Sequence, residues 1–304
     1  MELFKKRETL IQNIAFMAIM AAINVVFVVL SNVLPVLLFL LVFVLPLTST
    51  LVTIYCKKIY FPIYFVVTLA LCFGVSAGFY IFDTFIYVLP SLITGFIFGF
   101  SIEKKVPAIY ALLIATAVQY GLTILTFFVL GKIVSNLDLT ESIVVAFGLK
   151  DFEFKAVFIQ VFLFIIAEIQ IVISYIVTKV LVNRLGIEVN LICKYNFILY
   201  IIEIVFAGLA ILSYYYFPVY TLVLVLFPLP IYIYQLTTLL LKKKIWIWAS
   251  LGGIHLIFIF LFAFLYEYTV APNHFILIYV LFGLSTIIDV LSNYCFKENK
   301  NNIK

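Results

Sequence analysis

The chain has 304 residues, 66% of them hydrophobic and 11% charged, with a mean hydropathy of +1.28. An ordinary soluble domain carries about 25% charged residues, so a water-soluble fold is excluded and lipid must solvate most of the side chains. The net charge of +5 is scattered in short clusters instead of gathered on one face, which excludes a nucleic-acid surface.

In chain order, the basic start MELFKKRETL leads into an apolar run over 14–30. That run is longer than a secretory h-region and is read as an uncleaved first span. Further spans are predicted at 34–55, 60–81, 84–102, 107–130, 156–182, 196–216, 218–241, 245–266 and 274–295, with the first over 12–31. Asn32 and Pro35 mark the turn between the first two. The fold class is therefore an all-α, polytopic transmembrane bundle of about ten spans, or eight if two pairs merge.

Apart from Lys132, Lys150 and Lys155, the 19 lysines and arginines lie in every second gap. They form the groups Lys5-Lys6-Arg7, Lys57-Lys58, Lys104-Lys105, Lys179/Arg184/Lys194, Lys242-Lys243-Lys244 and Lys297/Lys300/Lys304. Basic loops stay in the cytoplasm, so both termini are expected inside. The alternate gaps, near Asn32 and Asp83 and over 131–155, 214–218 and 267–273, are expected outside. In 131–155, Thr140-Glu141-Ser142 followed by the apolar run 143–147 predicts a short interfacial helix.

Small residues recur at helical spacing. Ala15, Ala18 and Ala22 share one face of the first span, and Gly74/Gly78 and Gly95/Gly99 are small-xxx-small pairs. In lipid, helices associate by close packing over such residues. The glycine pairs read as packing inside the bundle, whereas the alanine face is equally suited to docking another subunit.

Ionisable groups at membrane depth are few: Glu168 in the sixth span, Glu203 in the seventh, His255 in the ninth and Asp289 in the tenth. A charge at the bilayer centre costs at least about 2.5–3.5 kcal/mol, and such residues usually face the bundle or a water-filled cavity. Gln160, Gln170, Ser174 and Thr178 form a polar seam on the sixth helix with Glu168 at its border; Gln119 and Asn24 extend the set from the fifth and first spans. Glu168, Gln160, Gln119, Asn24 and His255 are thus candidate ligand-binding residues. The competing reading is polar contact between helices. Pro46, Pro90 and Pro228 with Pro230 are expected to break spans, freeing carbonyls that neighbours or a cavity must satisfy. Tyr214-Tyr215-Tyr216 and Trp246/Trp248 fit an interfacial aromatic belt.

Cys56, Cys72, Cys193 and Cys295 show no metal-binding or redox spacing. Metalloprotease, nucleophile-elbow, Walker A and dinucleotide motifs are absent from the sequence. No catalytic residue, metal or cofactor is therefore assigned, the chain is expected not to be an enzyme, and an ATPase would have to reside on another chain. An intramembrane lipid enzyme would require Glu168 and His255 to pair in one cavity.

The stretch over 14–100 combines an alanine-rich first span (IAFMAIMAAINVVF), a Pro-containing break, and YVLPSLITGFIFGF followed by a basic EKK loop. This pattern resembles YybS-like bacterial membrane proteins, themselves distantly similar to the substrate-binding S subunits of energy-coupling-factor transporters. The resemblance covers about the first 185 residues. It implies an S-subunit-like core over 1–185, followed by additional helices and a short cytoplasmic tail over 186–304. In S subunits a small-residue face on the first helix docks the membrane coupling subunit, which implies that role for Ala15, Ala18 and Ala22. S subunits usually have about six spans, and the four further spans here favour the YybS-like reading. The expectation is a multi-pass bacterial plasma-membrane protein whose partners are the bilayer, a possible membrane subunit and an unknown small molecule that it binds or transports. The alternative is a membrane scaffold or regulator with no ligand of its own.

Overall fold

The computed structural model describes residues 6–34, 37–76, 87–133, 155–187, 197–241, 245–268 and 282–291. The expected helix in 131–155, Gly78, Cys193, Cys295 and the loops at Asp83 and 267–273 lie outside them, apart from the ends of adjoining helices. Regular structure among the described residues is helical: α1 (Leu10–Val33), α2 (Leu38–Tyr55), a 3-10 turn (Lys58–Tyr60), α3 (Phe61–Ser76), α4 (Leu89–Glu103), α5 (Ala108–Ile133), α6 (Lys155–Arg184), α7 (Phe197–Tyr216), α8 (Pro218–Leu226), α9 (Leu229–Leu241) and α10 (Ile245–Tyr268). A short apolar helix, α11, covers Phe282–Leu291.

Among the described residues six stretches are long and apolar enough to cross a bilayer: Leu10–Val33, Lys58–Ser76, Ala108–Thr126, Lys155–Arg184, Phe197–Tyr216 and Pro218–Leu236. Leu40–Tyr55, Leu89–Glu103 and Phe282–Leu291 are shorter apolar helices. The molecule is an integral-membrane, all-helical protein. Its helices hold their backbone groups internally, as a chain without water must.

Two compact units divide the chain. The first comprises Met1–Phe152 and Phe162–Ile192; the second comprises Glu153–Val161 and Cys193–Lys304.

In the first unit α2 packs against α1 and α4, α1 against α3, and α4 against α5. The start of α1 is set by Thr9, whose side chain accepts the Gln12 amide while the Gln12 side chain returns to the Thr9 backbone. This capping box satisfies two of the donors that a helix start leaves free. Asn13, fully buried, then ties α1 to the end of α2. Its Nδ2 donates to Thr9 O at 2.6 Å, and its Oδ1 accepts the Lys57 amide at 2.8 Å.

A close helix contact between α2 and α4 runs over Gly95 and Gly99. A Cβ at Gly95 would stand 2.4 Å from Pro46 O and 2.5 Å from Ser49 Cβ; one at Gly99 would stand 2.6 Å from Thr53 Cβ. The approach lets α2 hydroxyls reach across to α4: Ser49 Oγ donates to Leu92 O at 2.6 Å and Thr50 Oγ1 to Gly95 O at 3.0 Å. Gly74 differs, since a Cβ there would meet no described atom within 4 Å. That glycine serves no packing contact among the described residues, contrary to the small-xxx-small expectation.

The prolines divide into three cases. Pro46 lies inside α2 and has no N–H for the carbonyl of Val42 one turn earlier. That carbonyl accepts Ser174 Oγ of α6 at 2.7 Å, so a neighbouring helix supplies the missing donor. Pro90 breaks no helix; it sits in the first turn of α4, where no intrahelical bond is lost. Pro228 falls between α8 and α9, so the span expected over 218–241 is two helices. Phe206 of α7 stacks on Phe227 at this break, with ring centroids 4.3 Å apart.

At the basic end of the first unit, Glu103 stands 2.9 Å from Lys6 Nζ and 2.6 Å from Lys58 Nζ. Partial burial pushes this carboxyl up, but the ammonium groups of Lys58 and Lys6 outweigh it and hold it below the usual glutamate range. Nearby, burial pushes the Cys56 thiol up to about 11, which disfavours the thiolate.

Two tests follow from these contacts. Gly95→Leu or Gly99→Val should lower the thermal midpoint in detergent by an amount equivalent to about 1–3 kcal/mol, whereas Gly74→Ala should leave it unchanged. Because the Glu103 carboxyl is depressed in the folded state, its contribution is present above the unfolded glutamate pKa of about 4.3 and is lost as pH falls through the lower folded value. The site is solvent-screened, so Glu103→Gln should cost at most about 1 kcal/mol at neutral pH. That difference should vanish in acid; a pH-independent difference would contradict the ion-pair account.

Candidate functional site

The candidate residues of the first unit fall into two separate polar groups. Asn24 of α1 is fully buried. Its Nδ2 donates to the Tyr64 hydroxyl of α3 at 2.9 Å, and its Oδ1 accepts Thr48 Oγ1 of α2 at 2.7 Å. Both ends of the amide are occupied, and the group joins three helices without presenting Asn24 to a ligand.

The second group lies on α5 and α6. Gln119 is 3% exposed, and its Nε2 donates to Gln170 Oε1 at 3.4 Å. Its Oε1 is buried and accepts no hydrogen bond among the described residues. The seam predicted on the sixth helix thus meets Gln119 through Gln170, while Ser174 serves the Pro46 gap and Thr178 is fully buried. Glu168, at the border of the seam, is half-buried and makes no hydrogen bond or ion pair among the described residues. Gln160 is half-buried on the part of α6 that belongs to the second unit.

Ala15, Ala18 and Ala22 are exposed on α1, whereas Ala21 beside them is buried. The alanine face lies on the outside of its helix pair, and Phe16, Met17 and Val28 supply the packed side.

In the second unit, His255 of α10 is held at both ring nitrogens. Nδ1 lies 2.7 Å from Leu251 O. A carbonyl only accepts, so Nδ1 carries the hydrogen and Nε2 in the neutral ring takes the Tyr232 hydroxyl. Glu168 belongs to the first unit and His255 to the second.

The second unit also assembles a group that the sequence marked only in part. Glu203 of α7 is 6% exposed and Asp289 of α11 is 8% exposed. Thr286 Oγ1 donates to Glu203 Oε2 at 2.7 Å, and the Tyr200 hydroxyl donates to Asp289 Oδ2 at 2.6 Å. Thr286 also lies 3.4 Å from Gln235 Oε1 of α9. The described groups acting on Glu203 are Thr286, Gln235 and Asp289, none of them a cation.

The geometry has a simple cause. Tyr200 and Glu203 are three residues apart, as are Thr286 and Asp289, so each pair shares a helix face. Tyr200 meets Asp289 while Glu203 meets Thr286, so the two helices cross this contact in antiparallel register. Both carboxylates stood out in the sequence as membrane-depth acids. Their partners Tyr200, Gln235 and Thr286 did not, although the matched spacings were a usable signal.

The Asn24 group gives a direct test of a structural role. Asn24→Leu should destabilise the protein by about 1–3 kcal/mol, because it leaves the Tyr64 and Thr48 hydroxyls buried without their partner; Tyr64→Phe should cost nearer the roughly 0.6 kcal/mol of an average interhelical hydrogen bond. Denaturant titration in micelles measures both, and a neutral Asn24→Leu would remove the network from the account. Comparison with family models, curated proteins and solved structures finds no match to this chain.

Proposed function

We propose that this is a multi-pass protein of the bacterial plasma membrane that binds or moves a small molecule without an ATPase of its own. Glu203, with Thr286, Gln235 and Asp289, holds the polar part of that molecule. The observation that carries this reading is the Glu203 carboxyl group, 6% exposed in an apolar helical unit and faced by a hydroxyl, an amide and a second carboxyl group but no described cation. Ionisable groups at this depth cost at least about 2.5–3.5 kcal/mol and mark solute and ion paths when they persist.

The chemistry of the set points to the ligand class. Two carboxylates, a threonine hydroxyl and an amide offer mostly acceptors. They suit a proton, or a small solute carrying an ammonium or several N–H and O–H donors. Gln119 Oε1, buried without a hydrogen bond among the described residues, is an acceptor of the same character in the first unit. The resemblance of the first 185 residues to YybS-like membrane proteins, themselves distantly similar to energy-coupling-factor S subunits, would imply small-molecule handling in general and names no substrate.

A second reading, a membrane scaffold, is favoured by one observation: the small-residue face of Ala15, Ala18 and Ala22 is exposed and suited to close approach of a partner helix.

The readings separate in one experiment. Purified protein should gain thermal stability with at least one member of a panel of amines and amine-bearing cofactors. Glu203→Gln and Asp289→Asn should each weaken that effect by about tenfold or more in apparent affinity, about 1.4 kcal/mol, while Asn24→Leu should lower stability without changing affinity. Unchanged affinity in both acid variants would remove the proposed site. Ligand silence across the panel, together with a membrane partner crosslinked through Ala18, would favour the scaffold.

A further inference from the structure

The basic end of the first unit carries a groove that the proposed solute site does not use. It has a volume of about 390 Å³ and is lined by Phe61, Pro62 and Phe65 of α3, Ile93 and Phe96 of α4, and Lys58. Phe61 and Phe96 pack with ring centroids 4.4 Å apart. Lys58 is the lining's sole charged group, and it opens the 3-10 turn that leads into α3.

The charge at this place is unbalanced. Lys6 and Lys58 share one carboxylate, Glu103, at 2.9 Å and 2.6 Å. Two ammonium groups on one carboxylate leave a net positive charge, and exposed Lys57, Lys104 and Lys105 add to it. Lys58 is also fixed in place, with its Nζ 4.3 Å from the centroid of the Phe100 ring. Glu103 and Phe100 therefore hold the ammonium before any ligand arrives, which reduces the ordering cost of binding. Its three N–H donors exceed what one carboxylate contact occupies.

An apolar groove that opens beside a positive helix end at the membrane interface matches a molecule with an alkyl chain and an anionic head. We propose that this groove holds an acyl chain of an anionic phospholipid, with its phosphate on Lys58. Charge complementarity selects the lipid class, because a zwitterionic headgroup brings no net charge to the surplus ammonium. Lysines near anionic lipid surfaces act with this sign.

The test uses the full chain, delipidated in mild detergent and offered equimolar dioleoyl phosphatidylglycerol and dioleoyl phosphatidylcholine, with bound lipid read by native mass spectrometry. The wild type should retain the anionic lipid about fivefold over the zwitterionic one, the ratio expected for one lysine on one anionic headgroup. Lys58→Gln should bring that ratio near one, Lys58→Arg should keep it, and Ile93→Trp, which fills the groove, should reduce retention of both lipids. A wild-type ratio near one, or an unchanged ratio in Lys58→Gln, overturns the proposal. So does displacement of the lipid by glycerol 1-phosphate, which would assign the affinity to the headgroup alone. A wild-type measurement stands independently of whether the variants fold: phosphatidylglycerol with a photoactivatable chain should label peptides containing Phe65 or Phe96, and labelling confined to other segments overturns the assignment.

Discussion

A helix in lipid cannot leave a backbone carbonyl without a donor, and in this protein that constraint is concentrated at α2. Pro46 removes the donor that Val42 O would have had, and Ser174 of α6 replaces it. The same helix is met by Gly95 and Gly99, close enough for Ser49 and Thr50 to bond the carbonyls of α4. Its Thr48 joins Asn24 and, through it, Tyr64. The helices α1, α3, α4 and α6 are thus all tied to α2 by polar contacts, in a medium where apolar side chains gain little by leaving the lipid. That no residue of α2 from Leu41 to Tyr55 is exposed follows from that arrangement.

Polar groups at membrane depth behave differently in the two units. In the first, Asn24, Ser49, Thr50 and Ser174 each complete a contact between helices. Gln119 has one amide atom paired and the other not, and the buried hydroxyls of Ser76, Ser91 and Thr178 likewise make no hydrogen bond among the described residues. In the second unit two buried carboxyl groups are each bonded by a hydroxyl from the opposite helix. Packing alone does not call for a carboxyl group where threonine or glutamine would serve. That excess of chemistry over structural need is what directs the functional proposal to Glu203 and Asp289.

The basic clusters have a local structural role as well as a topological one. Lys6 and Lys58 bring the chain start and the turn after α2 onto Glu103 at the end of α4. Arg7 donates its amide to Tyr55 O and lays its guanidinium over Phe16 at 5.2 Å. These contacts gather several helix ends at one level, and the resulting surplus of positive charge sits beside an aromatic groove.

Much of the helical layout was legible in the residues alone. Long apolar runs must become helices in lipid, since no other open structure satisfies the backbone. The break at Pro228 falls on turn chemistry, whereas Asn32, expected in a turn, is still helical and α1 ends only after Val33. That Gly95 and Gly99 pack inside the bundle was also legible, because small residues at that spacing permit close approach; that the partner is α2 was not. Gly74 carries the same spacing and packs on nothing described: a motif states that approach is permitted and leaves open whether a partner is there. The candidate site was less legible for the same reason. Asn24, Gln119 and His255 were visible as polar residues in apolar surroundings. Only the tertiary structure decided that Asn24 is spent on Thr48 and Tyr64, that Gln119 meets Gln170, and that His255 meets Tyr232. It also decided that Glu203 and Asp289, 86 positions apart by their numbers, belong to one group. The sequence by itself determined the solvent, the helical class and which residues are costly in lipid, because those depend on each residue's own transfer energy. Which costly residues meet depends on how helices distant in the chain pair, and that was settled only by the fold.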